Sequence, residues 1–258
     1  MEDLQMLREN LEMCDEIILD ALMMRYRLIE NILVAKNAAG ESIVQPKQEE
    51  KKRALLLKRM EGNRHQKEVM EIFERIFYES KKIQSGQLFD YNIVLIGFMG
   101  SGKSTISKAL SEIFAMDVVE MDQLIAEREN MSISEIFDTY GEEYFRDLET
   151  NLLIEMQSKK NVIISCGGGV PMRDVNVAEM KKNGKVILLS ATPETIYERV
   201  KDNHDRPLLE NNKNVEFIQQ LMEKRREKYE AAADIIIQTD GKTTYEICEE
   251  LIAEARRQ

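Results

Sequence analysis

Histidine occurs only at positions 65 and 204, too few and too far apart in sequence for a histidine-based metal site. Cysteine occurs three times, as Cys14, Cys166 and Cys248. An odd, widely spaced set without a CxxC pair argues against a disulfide framework or a zinc site. It points to reduced thiols in a cytoplasmic protein. No apolar run approaches the roughly 20 residues needed to cross a bilayer, and Met1-Glu2-Asp3 does not open a secretory signal, so no membrane partner is expected. A basic excess is missing as well. The formal net charge is −11; residues 1–85 hold 15 Lys and Arg against 16 Asp and Glu, and the remainder holds 21 against 31. Such an acidic remainder does not suit nonspecific nucleic-acid binding, which neutralises phosphates with many cations. Any phosphate bound there must be held by a few placed cations and by backbone amides.

Helix breakers are scarce up to about Lys82, where Gly40, Pro46 and Gly62 alone interrupt the pattern. They punctuate three predicted helices, roughly Glu2 to Ala38, Pro46 to Glu61 and Arg64 to Ile83. Pro46 suits a first helical turn, where its missing N–H costs nothing. From Tyr91 onward the grammar changes. Short apolar runs at Asn92–Ile96, Asp117–Val119, Val162–Ser165, Val186–Ser190 and Ile235–Gln238 alternate with helical stretches, which predicts a five-stranded parallel sheet covered on both faces. Gln84–Asp90, with Ser85-Gly86, reads as the linker. The expected division is an all-α three-helix domain over 1–86 and an α/β domain over 87–258, with no internal repeat.

Gly97-Phe98-Met99-Gly100-Ser101-Gly102-Lys103-Ser104 matches G-x-x-x-x-G-K-[ST] in full. It follows the apolar run Ile93–Ile96 and opens a helix, the context that gives the pattern its meaning. Glycines let backbone N–H groups approach phosphate oxygens, and the helix N-terminus adds a favourable dipole. Gly100, Ser101, Gly102, Lys103, Ser104 and Thr105 are therefore the expected ATP-binding segment. Lys103 reaches the β- and γ-phosphates, and Ser104 is a ligand for Mg²⁺. The motif alone leaves many functions open, but the short chain around it favours a compact kinase.

Further motifs follow in order: Glu120-Met121-Asp122, Phe145-Arg146-Asp147-Leu148-Glu149, Gly167-Gly168-Gly169, Arg206-Pro207-Leu208-Leu209, and Arg225 four residues before Tyr229. Together with the phosphate loop they resemble shikimate kinase over residues 91–258. The resemblance implies that Arg146 and Arg225 hold the substrate carboxylate, a task suited to guanidinium forks. It implies that Asp122 binds the hydroxyls and orients or deprotonates the attacking one, while the Gly167–Gly169 turn brings backbone N–H groups close to the substrate. Arg206 matches a lid arginine that stabilises charge in transit, and Arg199 a position that packs on adenine. One position departs: Glu120 stands where aspartate is usual near the magnesium, with the same charge one methylene further out.

In the first predicted helix, Leu4, Leu7, Leu11, Cys14, Ile18, Ala21, Arg25, Leu28 and Ile32 form a seam of alternating spacing 3 and 4, as in a coiled coil. Arg25 interrupts it, and an unpaired buried guanidinium is costly, so either the register breaks or an anion sits there. Lys36 lies about 20° around the same face, whereas Arg8 is about 25 Å from Arg25 along a straight helix. One small ligand cannot meet both arginines of a single chain, but an antiparallel partner chain can supply Arg8. This arrangement resembles the all-helical chorismate mutase domain over about residues 1–85, through Leu7-Arg8, Asp15, Arg25, Lys36, Glu49, Ser80 and Gln84. The resemblance implies an intertwined homodimer that rearranges chorismate to prephenate without metal or covalent catalysis. Arg8 of the partner and Arg25 would hold the carboxylates, Lys36 and Gln84 would donate to the ether oxygen, Glu49 would bind the ring hydroxyl and Ser80 would sit beside a carboxylate. Gln45 and Gln48 depart from the pattern, standing where aspartate and arginine are common.

The leading expectation is thus a bifunctional enzyme of aromatic amino-acid biosynthesis, using ATP and Mg²⁺ and acting on shikimate and chorismate. The competing expectation is a P-loop kinase for another polyol acid, such as gluconate, behind a non-catalytic dimerisation or ligand-sensing module.

Overall fold

The computed structural model describes residues 3–39, 41, 46–201 and 214–256. The expected lid residue Arg206 and the departure at Gln45 lie outside the described residues. The chain divides into two compact units, Met1–Gln87 and Leu88–Gln258.

The first unit consists of α1 (Leu4–Ala39), α2 (Pro46–Arg59) and α3 (Gln66–Leu88). Ile29 and Leu33 on α1 and Phe77 on α3 are its buried hydrophobic residues. The seam of α1 is left uncovered within the chain: Leu11 is 62% exposed and Ile18 56%. The predicted linker is corrected, because α3 continues through Gln84, Ser85 and Gly86 to Leu88. Ser85 is buried and its Oγ donates to the Lys82 carbonyl at 3.0 Å, an interaction made within the helix. One internal glycine costs only about 1 kcal/mol of helix propensity.

The second unit is a parallel sheet of β1 (Asn92–Ile96), β2 (Asp117–Glu120), β3 (Val162–Ser165), β4 (Gly184–Ser190) and β5 (Ile235–Gln238) in the order β2-β3-β1-β4-β5. Its helices are α4 (Lys103–Phe114), α5 (Met121–Glu129), α6 (Ile133–Met156), α7 (Asp174–Asn183), α8 (Pro193–Val200), α9 (Val215–Ala232) and α10 (Thr244–Arg256), with a 3-10 turn at Val170–Met172. β1 and β3 are buried at every position, as expected where helices cover both faces of a parallel sheet. Register pairs Leu95 with Ser165 and Glu120 with Ser165, so the carboxyl ends of β1, β2 and β3 finish level. The phosphate loop, Asp122 and the glycine turn all leave from those ends, where open α/β sheets bind ligands. Ser132 starts α6 with a reciprocal capping box to Glu135, and the helix bends at Gly141, whose φ of 85° and ψ of 165° are non-helical.

Candidate active sites

The loop between β1 and α4 holds its shape through glycines that other residues cannot replace. Gly100 has φ +76°, and a Cβ there would lie 2.6 Å from Val200 Cγ1. Gly97 has φ +148°, and a Cβ would lie 2.5 Å from the Leu189 carbonyl oxygen. Lys103 opens α4 and its Nζ donates to the Gly97 and Phe98 carbonyls at 2.8 and 3.1 Å, so its ammonium spans the loop. Thr105 N–H donates to the Gly102 carbonyl at 3.1 Å. The buried Ser101 follows the loop's turn, its N–H donating to Phe98.

Ser104 and Glu120 are in direct contact. Ser104 Oγ donates to Glu120 Oε2 at 2.9 Å, and Ser107 Oγ donates to Oε1 at 2.5 Å. The longer side chain of Glu120 thus reaches α4. Hydroxyl and carboxylate oxygens suit a hard ion such as Mg²⁺, which usually completes its shell with water and phosphate oxygens. Among the described residues no group of three or more His, Cys, Asp or Glu could hold a metal alone.

Beside the loop, three helices converge on Gly167–Gly169. A Cβ at Gly167 would lie 2.7 Å from Glu149 Oε1 and closer still to Asp122 Oδ1, while one at Gly169 would lie 2.7 Å from Arg146 Nη2. The turn has to be glycine because two carboxyls and a guanidinium crowd against its backbone. Asp122 comes from the first turn of α5, and Arg146 and Glu149 come from α6. Arg146 Nη1 donates to Glu149 Oε2 at 2.8 Å, and its Nε and Nη2 donate to the exposed Glu142 Oε1 at 3.2 and 2.6 Å. Glu149 is fully buried. Burial pushes its carboxyl up to about 7 despite the Arg146 charge, and the nearby Asp122 adds to the rise. From α9, Tyr229 Oη donates to the Gly168 carbonyl at 2.6 Å and Arg225 Nη1 approaches the same oxygen at 3.5 Å.

On the other side of the loop, Arg199 Nη1 donates to the Gly100 and Ser101 carbonyls at 3.2 and 3.3 Å and to Thr239 Oγ1 at 3.1 Å. Asp240 fixes the start of the same helix by accepting from Thr192 N–H and Oγ. Burial alone would raise the Asp240 carboxyl, but hydrogen bonds from Thr195, Thr192 and Gln238 hold it down at about 2.

In the first unit, Arg25 Nη1 donates to Ser80 Oγ and to the Ile76 carbonyl, and its guanidinium lies 5.7 Å from the Phe77 ring centroid. Burial lowers the Arg25 pKa, with partial compensation from Tyr26. Burial also lowers that of Lys36, which Glu41 opposes and Lys52 reinforces. Glu49 accepts from Lys81 across 3.0 Å and lies 3.7 Å from Arg53. Gln84 is half-buried one turn beyond Ser80, whereas Arg8 and Gln48 are exposed. The chain therefore brings Arg25 and Ser80 together, while Arg8 faces outward.

Several contacts escaped the sequence reading. Ser107 repeats Ser104 at i+3 on one helix face, so helical spacing held a usable signal. Lys81 adjoins Ser80 but was not distinguishable from a surface lysine.

A parallel sheet with a phosphate loop after its central strand, flanked by a carboxylate-and-guanidinium chamber, defines a small-molecule kinase of the P-loop class. The family model for shikimate kinase matches residues 99–256, and that for chorismate mutase type II matches residues 7–85. The shikimate kinase of Persephonella marina is 44% identical over 165 residues, covering 64% of this chain and 99% of the relative. That of Thermodesulfovibrio yellowstonii is 42% identical over 166 residues, covering 64% and 95%. Among solved structures, shikimate kinase from Acinetobacter baumannii in complex with shikimate superimposes with a TM-score of 0.62 at 27% identity, covering 66% of this chain and 96% of that one. The Bacteroides thetaiotaomicron enzyme gives 0.58 at 32% identity, covering 65% and 97%. The chain belongs to the shikimate kinase family and carries a chorismate mutase domain ahead of the kinase domain. The gluconate alternative is not favoured.

Proposed function

We propose that the second unit transfers the γ-phosphoryl group of ATP to a hydroxyl of shikimate, giving shikimate 3-phosphate, and that the first unit rearranges chorismate to prephenate. The observation that carries the kinase reading is the meeting of Asp122, Arg146, Glu149 and Arg225 around Gly167–Gly169, next to the phosphate loop. A substrate carboxylate displaces the exposed Glu142 from the outer edge of the Arg146 fork, while Glu149 keeps hold of the inner edge. Arg225 supplies the second guanidinium. Asp122 takes the proton of the attacking hydroxyl as its oxygen bonds to the γ-phosphorus and the bond to the bridging oxygen of ADP breaks. Lys103 and the loop amides bear the negative charge of the phosphates, Arg199 flanks the adenine side, and Arg206 adds positive charge for the group in transit. Ser104 and Glu120 would hold Mg²⁺, which would neutralise phosphate charge there. ADP release measured with shikimate and with gluconate tests the substrate: dependence on gluconate alone rejects this reading.

The mutase reading rests on the half-buried cations Arg25 and Lys36 and on the contact of Arg25 with Ser80. The rearrangement breaks a C–O bond and forms a C–C bond within one molecule, so the protein's part is to bind and to meet charge developing on the ether oxygen. Lys36 and Gln84 do this, Glu49 accepts the ring hydroxyl, and Arg25 takes one carboxylate with Ser80. Arg8 of a second copy takes the other. The uncovered seam of α1 supports the homodimer, since among the described residues of this unit three buried hydrophobic side chains at about 1.5–3 kcal/mol each make a thin core. Three free thiols, two of them buried, fit a cytoplasmic setting.

A further inference from the structure

Gln48 leaves one position of α2 without a cation, while Lys52, one turn on, already acts on Lys36. A ligand carrying two carboxylates needs its charges met inside a partly desolvated groove, and at this position α2 offers only an exposed amide. Its neighbour Arg53 does not make up the loss. Both arms of that guanidinium are committed to Glu74, Nε to Oε1 at 2.6 Å and Nη2 to Oε2 at 2.7 Å. A further cation comes from a different helix. Lys81 Nζ on α3 stands 3.0 Å from Glu49 Oε2 on α2, with only 22% of its side chain exposed, well covered for a residue type that is mostly at the surface.

Helical geometry puts this lysine beside the face of α3 that Arg25 meets. At 100° per residue, with Ser80 as origin, Gln84 lies at about 40°, Phe77 at about 60° and Lys81 at about 100°. One narrow face of α3 therefore carries all four. Arg25 of α1 reaches that face at Ser80 and Phe77, and Glu49 of α2 reaches it at Lys81. Gln84, one turn beyond Ser80, lies inside the arc that Arg25 meets, and Lys81 stands about 40° beyond Phe77. The Ser80–Lys81 step is thus where the chemistry of the three helices meets.

We propose that Lys81 is a further positioning residue of the mutase site. Its ammonium fixes the Glu49 carboxylate as acceptor for the ring hydroxyl. This rests on the mutase reading above. A lysine serving only to tie α2 to α3 would change stability and leave the kinetics alone, so the two roles separate experimentally.

The test uses the full chain, with shikimate-dependent ADP release in the same preparation as a check on folding. Lys81→Met is expected to lower kcat/KM for chorismate roughly tenfold or more, chiefly through KM. Lys81→Arg restores most of it. In a Glu49→Gln background Lys81→Met adds little, because the residue it positions is already gone. If Lys81→Met reduces helix content, Lys81→Gln takes its place in the comparison. Wild-type kinetics in the lysine variants, while Lys36→Ala abolishes chorismate loss, overturns the inference and leaves the mutase reading standing. No chorismate loss in the wild-type chain overturns both.

Discussion

Glu149 shows how much one buried side chain can decide. Its carboxyl titrates near 4.5 when unfolded and at about 7 in the folded chain, raised by burial. As pH rises through that window the unfolded state releases its proton first, so stability falls between about 4.5 and 7, by on the order of 3 kcal/mol. Glu149→Gln removes this slope. Denaturant unfolding of the two proteins across that range should show the variant gaining on the wild type until about pH 7 and no further; parallel curves would reject the assignment. The Arg146–Glu149 pairing was legible in the sequence as an i,i+3 spacing. Its burial was not, because that depends on the glycine turn, Asp122 and α9 arriving from distant parts of the chain.

Elements set how finely these groups are held. Gly167–Gly169 is a short turn, yet it packs against side chains from three helices. Gly167→Ala pushes a methyl into Asp122 Oδ1 and Glu149 Oε1. Misplacing a reacting group by about 1 Å typically costs about a hundredfold, so kcat/KM for shikimate is expected to fall by roughly that factor. Binding of ATP, measured separately on the loop after β1, is expected to stay within about twofold, since only the acceptor side is disturbed. A parallel loss of ATP affinity would contradict the separation of the two subsites. The five strands were readable as apolar runs between helical stretches, and the helix after the phosphate loop from its motif. The end of α3 was misread because Ser85-Gly86 looks like a turn, while the buried Ser85 and continued helical bonding carry the helix through to Leu88. The bend at Gly141 was not anticipated, because an isolated glycine in a helical pattern does not reveal whether it kinks the helix.

The chain as a whole carries two sites that use different physics. The kinase unit gathers Lys103, Asp122, Arg146 and Arg225 around one buried carboxylate, Glu149, within one chain. The helical unit leaves Arg8 exposed and the α1 seam uncovered, so its proposed site is completed by a second copy. Mixing Arg8→Ala chains with Lys36→Ala chains is expected to restore mutase activity, because half of the sites in a heterodimer receive both intact residues. Subunit exchange without recovery would contradict a shared site. The seam was legible from its 3,4 spacing, and its exposure within one chain agrees with that pattern. Which cations line the groove was only partly legible, since Lys81 becomes notable only once Glu49 is seen beside it.

The central claim is that one chain holds two independent active sites. Its most direct test measures shikimate-dependent ADP release and chorismate loss in single preparations of wild type, Lys103→Ala and Lys36→Ala. The wild type is predicted to show both activities, Lys103→Ala only chorismate loss and Lys36→Ala only ADP release, each lost activity falling by about a hundredfold or more. A wild-type chain lacking either activity, or a single substitution that removes both, would contradict the account.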